Sequence, residues 1–231
     1  QGDLARSWAN RLTAARTMTT GAPGFFATRM PPPMLLPTGA EGATSFYDTA
    51  GLKATLEQLV DFDRINAPGA MRFSVGAVNV RTGNFEYFDN STHHIRAEHV
   101  MASGALPPGF PAVDIDGEPY WDGGIVSNTP LDWILTNLPL LDTLAFQVDL
   151  WSARGAVPRN IGQVAERLKE IQYSSRTRAS TDHFRQLQSA RALVQALLDK
   201  LPPDLRQIPE AAKLCRLADP SVHNIVQLIY H

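Results

Sequence analysis

The stretch Tyr120-Trp121-Asp122-Gly123-Gly124-Ile125-Val126-Ser127-Asn128-Thr129-Pro130-Leu131 decides how this chain reads. Two aromatic residues suited to a short strand run into an aspartate, and two glycines follow at once. Glycine lets a backbone turn sharply into the left-handed region or pass close to another chain segment. The pattern therefore predicts a carboxylate at the rim of a sheet, where α/β proteins tend to place their sites. Asp-Gly by itself is equally the mark of an ordinary turn.

Outward from this point, Met71–Val80 and Phe85–Phe88 are strands rich in Val and Phe, joined by a tight Thr82-Gly83-Asn84 turn into a hairpin. Arg96–Leu106 is a short helix stopped by Pro107-Pro108-Gly109. Asp114-Ile115-Asp116-Gly117 is a turn between extended pieces, and Asp61 and Asp63 mark a helix end and turn. Upstream, Leu4–Arg16 has helical spacing, and Asp48 or Thr49 can cap a helix carrying Leu52, Leu56 and Leu59. Between these helices lies a Pro/Gly-rich segment; its Phe25, Phe26, Met34 and Leu35 form either an apolar lid or packing over the core. Downstream, a helix near Leu131–Asn137 precedes Thr143–Leu150, which reads as an apolar, fully buried strand. From about residue 156 the pattern turns helical: Pro158–Leu201 fits two helices or one long bent one, with another to Leu217. The alternation of strands and helices predicts an α/β architecture.

The segment Ala102-Ser103-Gly104-Ala105-Leu106-Pro107-Pro108-Gly109-Phe110-Pro111, taken with Asp122-Gly123-Gly124 and Asn128-Thr129-Pro130, closely resembles the patatin-like phospholipases. That family carries Ala-Ser-x-Ala-x-Pro…Phe-Pro ahead of a strand ending in Asp-Gly-Gly, then Asn-x-Pro. The likeness is specific from about His99 to Leu131 and softer across Met71–Leu150; residues 151–231 match no motif. It implies a three-layer α/β/α sandwich, present in part, with a helical C-terminal region. Residues 1–155 would be the C-terminal portion of the catalytic domain and 156–231 a helical satellite. It also implies a lipid acyl hydrolase working through a Ser–Asp dyad, with no metal or organic cofactor and a lipid or ester substrate, at a membrane surface or in solution. Asp122 would be the dyad aspartate, Gly123 and Gly124 its turn, and Asn128 and Pro130 scaffold. The alternative reading is a patatin-scaffold interaction module without catalysis.

The family nucleophile sits in Gly-x-Ser-x-Gly, a strained elbow. No serine in the chain has glycine at both flanking positions. Ser74 comes nearest, in Arg72-Phe73-Ser74-Val75-Gly76, but Arg72 stands where the first glycine belongs and the strand continues into its hairpin. The expectation is that the chain carries no nucleophile, and that the oxyanion loop and elbow precede Gln1.

Composition narrows the remaining choices. With 44% hydrophobic and 19% charged residues and a net charge of −2, the chain is neither disordered nor coiled coil, and has no electrostatic case for nucleic acid. No apolar run reaches the roughly 18–20 residues of a membrane span. The single Cys215 forms no internal bridge and is compatible with a cytoplasmic home. His93 and His94 with Glu98 and His99 could suggest a metal site, but the histidines read as solvated loop residues. Lys169, Arg176, Arg178, Arg185 and Arg191 read first as a solvated helix face, with lipid headgroups as the other reading.

Overall fold

The computed structural model describes residues 2–136, 142–205, 208–217 and 223–229. It is a mixed α/β chain whose contacts divide it into two compact units, Gln1–Val126 and Ser127–His231.

The first unit opens with α1 (Gly2–Thr20). A small antiparallel arm follows, made of β1 (Ala27–Thr28) and β2 (Tyr47–Asp48). Asp48 Oδ1 accepts the Ala50 N–H at 2.8 Å and so starts α2 (Ala50–Leu59). Asp61 caps α3 (Phe62–Asn66) by accepting the Arg64 N–H at 2.9 Å. Next come β3 (Ser74–Asn79), β4 (Phe85–Asp89), α4 (Ala97–Ser103), β5 (Val113–Ile115) and β6 (Glu118–Asp122). The four strands form one antiparallel sheet in the order β4-β3-β6-β5. The β5–β6 hairpin turns through Asp116 (φ 55°) and Gly117 (φ 90°), the paired left-handed geometry that two-residue hairpins favour.

Strand alternation puts Ala77, Phe88 and Tyr120 on one face of this sheet, and α4 packs there. With Ile95, Ala102 and Ile115 they make the core. His99 belongs to this interior rather than to a solvated loop, whereas His93 and His94 are exposed. Its Nδ1 accepts the Arg96 N–H at 2.9 Å across the first turn of α4, and its ring lies 4.7 Å from that of Phe88.

The second unit contains α5 (Leu131–Thr136), β7 (Thr143–Asp149), α6 (Ile161–Asp199), α7 (Pro209–Leu217) and β8 (His223–Ile229). Helix α6 is one continuous helix of 39 residues, started by Asn160 Oδ1 accepting the Gln163 N–H. The helical region ends in a strand that the sequence reading did not place: β8 pairs in parallel with β7 from Thr143↔His223 to Asp149↔Ile229. Strand β7 is also not buried on both faces. Ala145, Gln147 and Asp149 are buried, whereas Leu144, Phe146 and Val148 are exposed. The cause is one-sided cover: Phe184 packs with Ala145, and Thr181 Oγ1 donates to Gln147 Oε1 at 3.2 Å. Among the described residues no helix is long and apolar enough to cross a membrane.

Candidate active site

Asp122 ends β6 and pairs with Ala77 of β3. Its N–H donates to Ala105 O at 3.0 Å, tying the strand end to the segment that leaves α4. Its Oδ1 accepts the Gly124 N–H at 2.7 Å, which caps a 3-10 turn over Gly123–Ile125. Burial pushes the Asp122 carboxyl above the ordinary aspartate value, and the Gly124 N–H pulls the other way. A carboxylate made more basic by its surroundings can accept a proton from a hydroxyl.

The two glycines do not act through left-handed backbone, since neither Gly123 nor Gly124 has a positive φ. Gly123 works by close approach. A Cβ there would lie 2.5 Å from Gly76 O and 3.1 Å from the Phe85 ring. Gly76 is needed for the same reason, because a Cβ on it would lie 2.3 Å from Phe85 Cζ. Phe85 thus lies against two side-chain-free positions, Gly76 of the neighbouring strand β3 and Gly123 of the 3-10 turn after β6, and this packing seats the turn that Asp122 caps. The signal was in the sequence: a glycine inside a Val-rich strand marks a close backbone approach.

Asn128 and Pro130 fall in the second unit, where Pro130 immediately precedes α5 and its carbonyl accepts the Trp133 N–H at 3.2 Å.

Ser74 is not brought to Asp122. It lies three residues from Ala77 along β3, roughly 10 Å away, and strand alternation turns it to the opposite face. Its hydroxyl instead donates to Asp89 Oδ2 across the hairpin. Asp89 is fully buried and also accepts from the Ser91 hydroxyl, the Ser91 N–H at 2.9 Å and Arg72 Nε at 2.7 Å. Burial opposes its ionisation, but these hydrogen bonds prevail and hold it far below the usual carboxylate range. Such a carboxylate is a poor base.

Asp114 Oδ1 accepts the Gly117 N–H at 2.9 Å, and Asp116 pairs with Arg96 at 2.9 Å, so both serve the hairpin turn. An open pocket of about 530 Å³ in the first unit is walled by Phe25, Phe26, Arg29, Met30 and Asp48; Asp122 is not among its lining residues.

A half-buried carboxyl raised by burial at a strand end is a candidate functional group on physical grounds. The family model described as patatin-like phospholipase matches residues 13–133, and the chain belongs to that family. A second, described as patatin phospholipase, matches residues 171–231, so the likeness reaches the region where the sequence alone offered no motif. No curated protein matches the chain. Family membership supports a lipid-hydrolase function and a lipid substrate.

Proposed function

We propose that Asp122 is the proton acceptor of a Ser–Asp pair that hydrolyses carboxylic esters of lipids, with the serine supplied by sequence outside these 231 residues. The observation that carries this reading is the raised, half-buried carboxyl of Asp122 at the end of β6, in the family's Asp-Gly-Gly motif. In the proposed cycle the serine hydroxyl attacks the ester carbonyl as its proton passes to Asp122. The tetrahedral intermediate collapses, the alcohol leaves with that proton, and an acyl-serine remains. Water then attacks the acyl-serine, giving a proton to Asp122; the second tetrahedral intermediate collapses, the fatty acid leaves, and the serine oxygen takes that proton back from Asp122.

The test uses the full gene product and a p-nitrophenyl ester. Asp122→Asn keeps the shape and the Gly124 contact but removes the proton acceptor. We expect kcat to fall at least about 10²-fold. Asp114→Asn and Asp116→Asn, both turn residues, should stay within a few-fold of the parent. Hydrolysis by Asp122→Asn at the parental rate would remove this assignment. A gene product with no esterase activity would favour the non-catalytic scaffold.

A further inference from the structure

Phe85 stands opposite Val78 in the β3–β4 ladder, and Val78 stands opposite Trp121 of β6, so Phe85 lies on the sheet face away from α4. Asp122 stands opposite Ala77, on the α4 face. From its own face the Phe85 ring reaches diagonally past Gly76 to the turn that Asp122 caps. A Cβ on Gly123 would lie 3.1 Å from Phe85 Cε2, and a Cβ on Gly76 would fall on the tip of the ring. The Tyr87 ring, its centroid 4.7 Å away, backs Phe85 from the same strand.

The hydrogen bond inside the turn does not orient it against the sheet. Gly124 N–H donates to Asp122 Oδ1, but Gly124 belongs to the same 3-10 turn and moves with it. The Ala105 carbonyl accepts the Asp122 N–H at 3.0 Å and so fixes the strand end just before the turn. Phe85 meets the turn itself, at Gly123. Neither Gly123 nor Gly76 has a side chain that could close over the space left by a smaller residue at position 85. Surroundings relax only partly into such a void, and this one would open directly against the turn.

We propose that Phe85 is a positioning residue for proton transfer at Asp122, acting through Gly123 rather than on the substrate. This role rests on the catalytic reading of Asp122 above and adds the side chain that sets where the carboxyl meets the serine. A displacement of about 1 Å between reacting groups can cost as much as about 10²-fold in rate. Burial is what raises the Asp122 carboxyl above its ordinary value, so a loosened turn that admits water gives back part of that rise.

In the full gene product, Phe85→Leu should lower kcat for a p-nitrophenyl ester about 10-fold, with KM changed by less than about two-fold. The acid limb of kcat/KM should move to lower pH as the Asp122 carboxyl becomes less basic. Phe62→Leu makes the same deletion on α3, where the ring packs on the core, and should lower the melting temperature without moving kcat or the acid limb. Gly76→Ala alone should be as impaired as Phe85→Leu. Joined to Phe85→Leu, it puts a methyl where the ring tip stood and should recover most of the lost kcat. Phe85→Met carries the same test should Phe85→Leu not fold. Carbon-13 shifts of the carboxyl give a readout independent of turnover: the Asp122 pKa should fall in Phe85→Leu and stay put in Phe62→Leu. Parental kcat with an unmoved Asp122 titration in Phe85→Leu, or equal changes in Phe62→Leu, would overturn the positioning role. An inactive Asp122→Asn beside a fully active Phe85→Leu would sink this role alone. Parental hydrolysis by Asp122→Asn would sink the catalytic reading, and the titration would still decide whether Phe85 seats the carboxyl.

Discussion

Ser74 donates its hydroxyl to Asp89 across the β3–β4 hairpin, and the carboxylate that accepts it is strongly acidic. Asp89 already accepts from Arg72 and Ser91, and the hydrogen bonds hold it ionised well below the usual range. Asp122 is pushed the other way by burial. Two aspartates on one sheet are thus pushed in opposite directions, Asp89 towards stronger acidity by its hydrogen bonds and Asp122 towards weaker acidity by burial.

Asp89→Ala should cost about 3 kcal/mol, because it strips a buried carboxylate from a cation and three hydrogen-bond donors. Denaturant unfolding measures this. Ser74→Ala should leave both esterase activity and fluorophosphonate labelling of the gene product unchanged; labelling lost on that substitution would make Ser74 the nucleophile.

Asp122→Asn should raise the melting temperature at pH 7. The folded-state value of Asp122 lies above its unfolded value, so ionising it costs stability at neutral pH. Below about pH 4 the carboxyl is protonated in both states, and the difference between parent and variant should vanish. Asp89 works with the opposite sign: its contribution is complete above about pH 4 and is lost as the medium becomes more acidic. A destabilised Asp122→Asn at pH 7 would contradict the burial account.

Gly123→Ala should lower stability by about 2 kcal/mol, since its Cβ would land 2.5 Å from a backbone oxygen that has no side chain to move aside. Phe85→Leu should not rescue it, because the Gly76 carbonyl stays where it is. Gly117→Ala, at φ 90° with open space around it, should cost only about 1 kcal/mol, through backbone strain alone. Thermal unfolding of the three variants separates close approach from conformational strain.

His99 offers a pH-dependent test of the core. Burial, followed by the charge of Arg96, lowers its pKa below the ordinary histidine value. The unfolded chain therefore takes up the proton first, and stability should fall as pH drops through about 6.5. His99→Gln keeps an acceptor for the Arg96 N–H and cannot titrate. The gap in melting temperature between parent and variant should shift toward the variant from pH 7.5 to 5.5. A gap independent of pH would show that His99 is not desolvated.

The sequence by itself determined the features that depend on near neighbours. The β3–β4 hairpin, the Asp116-Gly117 turn, the start of α2 at Asp48 and Thr49, and a carboxylate at the end of a short strand were all legible. Each is set by a few consecutive side chains acting on their own backbone. The motif around Asp122 was legible in the same way, and with it the family. Only the tertiary structure decided what needs distant segments. Strand β8 finds its partner β7 across 80 positions, and nothing in an Ile/Val run names the strand it will pair with. The exposure of Leu144, Phe146 and Val148 depends on α6 covering one face of β7 rather than two. His99 is interior because Phe88, from another element, lies against its ring. Gly123 looked like a residue of turn conformation and proved to be one of contact, because Gly76 and Phe85 come from strands that meet it only when the sheet forms. A sequence pattern reports conformational preference; burial, and the basicity it confers on Asp122, exists only once the chain has folded around it.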